Sequence, residues 1–73
     1  MREVEIRDEV IRLGQFLKLA GLADSGADAA DVLAAGDVTV NGDPELRRGR
    51  QLHRGDVVVV GREAIGVGPV ERA

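Results

Sequence analysis

The stretch from residue 12 to residue 60 decides the fold and reads RLGQFLKLAGLADSGADAADVLAAGDVTVNGDPELRRGRQLHRGDVVVV. Leu13, Phe16 and Leu17 occupy positions i, i+3 and i+4, which is the spacing of the apolar face of an amphipathic helix. Gly21 follows where a glycine in the left-handed conformation commonly ends a helix. The beginning of the stretch therefore predicts a first helix that ends at Gly21.

A second helix is predicted directly after the first. Ser25 carries a side chain that is favoured at a helix N-cap, and Asp28, three residues later, resembles the acidic partner of a capping box. Ala29 and Leu33 give the segment an apolar face, and Gly36 again stands where a left-handed cap is expected. Two adjacent helices are therefore expected between Arg12 and Gly36.

Short strands are expected on both sides of the helices. Apolar residues that alternate or follow one another predict strands at residues 4–7, 38–40, 57–60 and 64–67. Asn41 and Gly42 form a strong turn signal, because both residue types tolerate positive φ. The valine run at residues 57–60 is either a core strand or an exposed edge strand, and we favour the core strand. Two helices with a few short strands place the chain in the α+β class.

Composition limits the class of protein and its chemistry. The 73 residues favour a single domain at residues 1–73, and Phe16 is the only aromatic residue, so the core must be mainly aliphatic. The chain has no cysteine and one histidine, which excludes a disulfide framework and a zinc site. The single serine, Ser25, is explained as a helix cap, and no glycine motif has phosphate-binding spacing. We therefore expect neither an enzyme nor a cofactor.

Membrane and targeting segments are not expected. The first five residues, MREVE, are charged and no apolar stretch follows them, which argues against a secretory signal. The longest apolar run, at residues 57–60, is far too short to cross a bilayer. Together with the lack of cysteine, these features favour a cytoplasmic protein.

Charge is unevenly distributed along the chain, whose net charge is −3. Residues 1–46 carry four basic and ten acidic side chains, whereas residues 47–73 carry six basic and three acidic ones. The densest basic segment contains Arg47, Arg48, Arg50, His53 and Arg54. The planar guanidinium group suits phosphate, so this segment is a candidate for binding a polyanion. The alternative is a solvated loop whose positive charge balances the acidic first half of the chain.

A series of short motifs is spread over residues 11–60 in a fixed order. They are Arg12-Leu13, Phe16-Leu17-Lys18, Ala20-Gly21-Leu22, Ser25, Ala29, Leu33, Gly36, Val38-x-Val40-Asn41-Gly42 and Gly55-Asp56-x-Val58. In this order and spacing they resemble the ribosomal S4-like RNA-binding domain, also called the αL RNA-binding motif. Within that family, residues 14–19 and 47–50 are most similar to the small free-standing bacterial subfamily of the YbcJ type.

The resemblance implies a fold in which two adjacent helices pack on a small, bent, mostly antiparallel sheet. It also implies binding of structured RNA, such as rRNA or tRNA, along the first helix and the basic loop, with the ribosome or a ribosomal protein as a further partner. The positions that match the family's RNA-binding surface are Arg12, Lys18, Ser25, Arg47, Arg48 and Arg50. The composition of the loop adds His53 and Arg54 as candidate contacts.

The second helix departs from the family pattern. The positions where family members often carry Arg or Lys are occupied here by Gly26, Ala30, Asp31 and Ala34. RNA affinity and its salt dependence should therefore be lower than in a typical member, and the lack of exposed aromatic residues favours structured RNA over stacked single strands. An alternative function is a protein-interaction module whose acidic second helix meets a basic partner. A third is an accessory domain of a larger RNA-modifying or tRNA-charging enzyme.

Overall fold

The computed structural model describes residues 1–68, which form two helices and seven short strands. In chain order these are β1 (Arg2–Glu5), β2 (Val10–Arg12), α1 (Leu13–Leu19), α2 (Gly26–Ala34), β3 (Val38–Val40), β4 (Asp43–Pro44), β5 (Gln51–His53), β6 (Val57–Val60) and β7 (Glu63–Gly68). The predicted α+β class and the two adjacent helices are confirmed. Residues 69–73 of the predicted domain lie outside the described part of the chain.

Five of the strands form one mostly antiparallel sheet in the order β1-β7-β6-β3-β4. Only β1 runs parallel to its neighbour. The valine run is β6, which lies between β7 and β3, and Val58 is fully buried there, so the core-strand interpretation is confirmed. β2 and β5 form a separate antiparallel pair, and α1 begins directly after β2.

Strand boundaries differ from the sequence prediction in two respects. The first strand, predicted at residues 4–7, lies two residues earlier, because its pairing with β7 runs from Arg2 opposite Ile65 to Glu5 opposite Gly68. In addition, β2, β4 and β5 are too short to show a periodic pattern and are not indicated by the sequence. Proline at the end of β4 is tolerated because this strand lies at an edge of the sheet.

The ends of the helices follow the sequence prediction closely. The N–H of Asp28 donates to Oγ of Ser25 at 3.1 Å, as expected for an N-cap. The carboxylate of Asp28 accepts from the N–H of Asp24 at 3.3 Å, so the capping box closes one residue before Ser25. Gly21 and Gly36 have φ of 78° and 85°, which confirms the left-handed position after each helix.

Replacing Ser25 by alanine should lower the free energy of unfolding by about 1 kcal/mol, because the N–H of Asp28 loses its acceptor. Urea denaturation followed by circular dichroism measures this change. Ser25→Thr is the matched control, since it keeps a hydroxyl acceptor and should unfold near the parent midpoint. Equal loss in both variants would show that the hydroxyl of Ser25 does not stabilise α2.

The core is aliphatic apart from one aromatic ring. Its largest fully buried side chains are Phe16, Leu13, Leu17, Leu33, Leu52, Ile65, Val38, Val40 and Val58. α1 contributes Leu13, Phe16 and Leu17, which confirms the apolar face predicted for the first helix. Because that face is turned to the core, Gln15 and Lys18 are exposed on the outside of α1.

Candidate functional site

An open groove of about 510 Å³ lies between the exposed side of α1, the start of α2 and the β4–β5 loop, residues 45–50. We call it the basic groove. Its charged lining residues are Arg12, Lys18 and Arg48, and its neutral ones are Gly14, Gln15, Gly26, Ala29 and Gly49. Within residues 1–68, no acidic residue lines it and its three basic side chains form no ion pair. An anion in this groove therefore meets cationic groups whose charge is not already balanced.

Two backbone hydrogen bonds hold the β4–β5 loop against the start of α1. The N–H of Leu13 donates to the carbonyl oxygen of Arg50 at 2.8 Å, and the N–H of Gly14 donates to that of Arg48 at 2.9 Å. Donors in the first turn of a helix lack partners within the helix, so the loop satisfies groups that would otherwise be unpaired. The loop is thereby fixed to the helix that carries Lys18.

The side chain of Arg48 lies across two glycines. A Cβ atom on Gly14 would lie 3.4 Å from Cβ of Arg48, and one on Gly26 would lie 3.6 Å from its Nη1. Gly14 belongs to the first turn of α1 and Gly26 is the first residue of α2. The side chain of Arg48 therefore passes the first turn of α1 and brings its guanidinium group to the start of α2.

Glu45 holds the β4–β5 loop together and does not line the groove. It is only 7% exposed. Its carboxylate accepts from the N–H groups of Leu46 and Arg47 at 3.1 Å, from Nε and Nη2 of Arg47 at 3.1 and 3.3 Å, and from Nη1 of Arg50 at 2.9 Å. Hydrogen bonds from Arg47 and then from Arg50 lower the pKa of Glu45 to about 2. The carboxylate is therefore ionised at neutral pH, and the same contact raises the pKa of Arg47.

The predicted site residues fall into three groups, the third of which lies outside both the groove and the β4–β5 loop. Arg12, Lys18 and Arg48 line the basic groove. Arg47 and Arg50 lie in the same loop, but their guanidinium groups are bound to Glu45. The sequence places Arg47, Arg48 and Arg50 in one basic segment, and only the fold separates Arg48, which lines the groove, from the two arginines that bind Glu45.

The remaining predicted residues are placed outside the basic groove. Nδ1 of His53 lies 3.9 Å from the carboxylate of Asp56. Nη2 of Arg54 donates to the carbonyl oxygens of Ile6 and Arg7 at 3.4 and 3.1 Å, which ties the β5–β6 turn to the segment after β1. Ser25 caps α2 next to Gly26, where its Oγ accepts from the N–H of Asp28.

Negative charge is concentrated around α2, with Asp24 just before the helix, Asp28 in its first turn and Asp31 in its second. A separate depression of about 300 Å³ lies between the α1–α2 connection and α2, lined by Gly21, Leu22, Ala23, Asp24, Asp28, Asp31 and Val32. The departure from the family pattern seen in the sequence thus has a clear spatial consequence. The basic surface ends near Gly26, and the exposed side of α2 adds acidic groups in place of basic ones.

Four residues of the site are not identified by the sequence reasoning. Gln15 lines the groove three residues before Lys18, and that helical spacing is a signal that could have found it. Gly14 and Gly26 lie against the side chain of Arg48, and these tertiary contacts leave no local signal. Glu45 lies two residues before Arg47, but its burial is visible only in the fold.

Within residues 1–68, no three side chains of His, Asp or Glu are grouped so that they could hold a metal ion. In the same part of the chain, neither helix has the length and apolar character needed to cross a membrane.

Comparison with known proteins gives a consistent picture. The family model described as S4 domain matches residues 4–68. The probable ribosome maturation protein RlbA of Bacillus subtilis (strain 168) is 49% identical over 57 residues, which is 78% of this chain and 80% of that protein. Among solved structures, the 30S ribosomal protein S4e from Thermoplasma acidophilum matches with a TM-score of 0.59 and 26% identity. That match covers 80% of this chain but 31% of S4e, so the chain spans about a third of the larger protein.

Proposed function

The chain belongs to the S4 domain family, and we propose that it binds structured RNA, rRNA or tRNA, through the basic groove. The observation that carries the proposal is the convergence of Arg12, Lys18 and Arg48 on a groove with no acidic lining residue within residues 1–68. These side chains come from the end of β2, from α1 and from the β4–β5 loop. Cationic groups from separate elements that meet without a balancing acid are suited to contact successive phosphates.

The relatives support a role connected with the ribosome. One is named as a probable ribosome maturation protein and another is a protein of the 30S subunit. Neither relative is named for a catalytic activity, and we accordingly propose a binding protein and not an enzyme. The ribosome, through its RNA or a ribosomal protein, is the proposed partner.

The lining of the groove favours recognition of shape and phosphate position. Phe16, the only aromatic residue of the chain, is fully buried in the core, so it cannot stack on an RNA base. The lining offers charged groups, one amide at Gln15 and backbone exposed at glycines. Such a surface fits the backbone of a folded RNA better than the bases of a single strand.

Fluorescence anisotropy tests the proposal directly. A labelled rRNA hairpin and a tRNA should bind with micromolar or tighter affinity, and a DNA duplex of equal length should bind more weakly. With three cationic contacts, the affinity for RNA should fall about 20- to 40-fold between about 50 mM and about 200 mM salt. Absence of RNA binding at the lower salt concentration would refute the proposal.

A second candidate function is docking of a basic protein segment on α2. The observation that favours it is the acidic depression of Asp24, Asp28 and Asp31, which also exposes part of Leu22 and Val32. This function becomes the better explanation if the anisotropy experiment shows no RNA binding. Recovery of the same bound protein before and after ribonuclease treatment then distinguishes it from indirect capture through RNA.

A further inference from the structure

Glu45 is the one charged residue that is buried within residues 1–68. A buried carboxylate is destabilising unless its oxygens are well paired. Here it accepts five hydrogen bonds, all from the segment that follows it, and its own N–H donates to the carbonyl oxygen of Val38 at 3.0 Å. The carboxylate is thus anchored to the sheet through its backbone and gathers the β4–β5 loop around it.

Arg48 lies between the two arginines that Glu45 binds. The N–H of Arg50 donates to the carbonyl oxygen of Arg47 at 3.3 Å, so the loop turns sharply at this point. The carbonyl oxygens of Arg48 and Arg50 accept from the first turn of α1. With the backbone tied to α1 and the flanking side chains tied to Glu45, the side chain of Arg48 is left to extend past Gly14 and Gly26.

We propose that Glu45 is a positioning residue for RNA binding, which holds Arg47 and Arg50 so that Arg48 is presented to phosphate in the basic groove. This inference rests on the proposed function, because the position of Arg48 affects binding only if the groove binds RNA. The direction of the effect makes the inference testable. Simple electrostatics predicts that removing a negative charge near the groove strengthens RNA binding, whereas loss of a positioning residue weakens it.

The variant Glu45→Gln keeps the shape of the side chain and removes its charge. We expect its affinity for the rRNA hairpin to fall roughly three- to tenfold, because the loop must then be ordered on binding. The charge-matched control is Asp43→Asn, since Asp43 is exposed and its side chain makes no hydrogen bond within residues 1–68. This control should bind as well as the parent or slightly better.

A second variant, Glu45→Asp, tests the same inference if Glu45→Gln fails to fold. Glu45→Asp keeps the charge but withdraws the carboxylate by one methylene, so it reaches fewer of its donors. Electrostatics predicts no change for this variant, whereas the positioning role predicts an affinity between those of the parent and Glu45→Gln. Circular dichroism at the binding temperature establishes that each variant is folded.

A double-mutant cycle with Arg48→Ala separates positioning from a general structural effect. If Glu45 acts through Arg48, the change at Glu45 should alter RNA affinity by less than about twofold once Arg48 is alanine. Amide exchange at Gly14, which donates to Arg48, should also be faster in Glu45→Gln.

The outcomes distinguish this inference from the proposed function. Parent-like or tighter binding by Glu45→Gln and Glu45→Asp would overturn the positioning role and leave RNA binding by the groove intact. An unchanged loss in the Arg48→Ala background would also overturn it. Failure of the parent protein to bind any structured RNA would refute the proposed function itself, and this inference with it.

Discussion

Replacing Arg12, Lys18 and Arg48 together by alanine should weaken binding to a structured rRNA hairpin about a hundredfold. The factor follows from a net contribution of about 1 kcal/mol from each of three charged contacts to phosphate. The slope of log affinity against log salt should also decrease by about 2 to 3, because three fewer counterions are released. Anisotropy titrations at several salt concentrations measure both quantities on the same samples.

The matched control for this variant removes equal charge elsewhere. Arg2, Arg7 and Arg62 do not line the basic groove. Arg2 forms an exposed ion pair with Glu63 and also donates from Nη2 to the carbonyl oxygen of Ala20 at 2.7 Å, so circular dichroism must establish that the control variant is folded. Their combined replacement by alanine changes the net charge equally and should weaken binding less than about fivefold at moderate salt, because exposed charges are screened over distances beyond roughly 8 to 10 Å. Equal losses in the two triple variants would mean that RNA responds to net charge and not to the groove.

The division of the loop arginines between the groove and Glu45 could not be predicted from the sequence. The cluster from Arg47 to Arg54 is visible in the sequence, and so is its suitability for phosphate. Which guanidinium group faces the groove depends on the burial of Glu45 and on the hydrogen bonds from Leu13 and Gly14. These are tertiary contacts between distant segments, and no local pattern encodes them.

The fold was more accessible to sequence reasoning where a residue type dictates backbone geometry. Asn41 and Gly42 have φ of 52° and 89°, as their turn signal predicts. The caps at Ser25 and Gly36 are local for the same reason. In contrast, the extent of β1 is fixed by its partner strand, and β2, β4 and β5 consist of two or three residues whose conformation depends on pairing.

Replacing Phe16 by alanine should lower the free energy of unfolding by about 3 to 5 kcal/mol. Phe16 is fully buried and is the largest side chain of the core, so its removal leaves a cavity that the surrounding valines and leucines cannot readily fill. A domain of this length has a total free energy of unfolding of about 4 to 10 kcal/mol, so the variant should lose a large share of it and unfold at a markedly lower midpoint temperature. Thermal and urea unfolding followed by circular dichroism measure the loss.

Leu19→Ala is the control on the same helix, because Leu19 is 53% exposed and its removal should cost less than about 1 kcal/mol. A similar loss in both variants would contradict the assignment of the inward face of α1 to the core.

RNA adds a second comparison, since a ligand that binds only the folded state raises the midpoint temperature by mass action. The hairpin should therefore stabilise the Phe16→Ala variant but not the folded variant that lacks Arg12, Lys18 and Arg48. That contrast would show that the inward side of α1 stabilises the domain, whereas the basic groove, to which the outward side of α1 contributes Lys18, binds RNA.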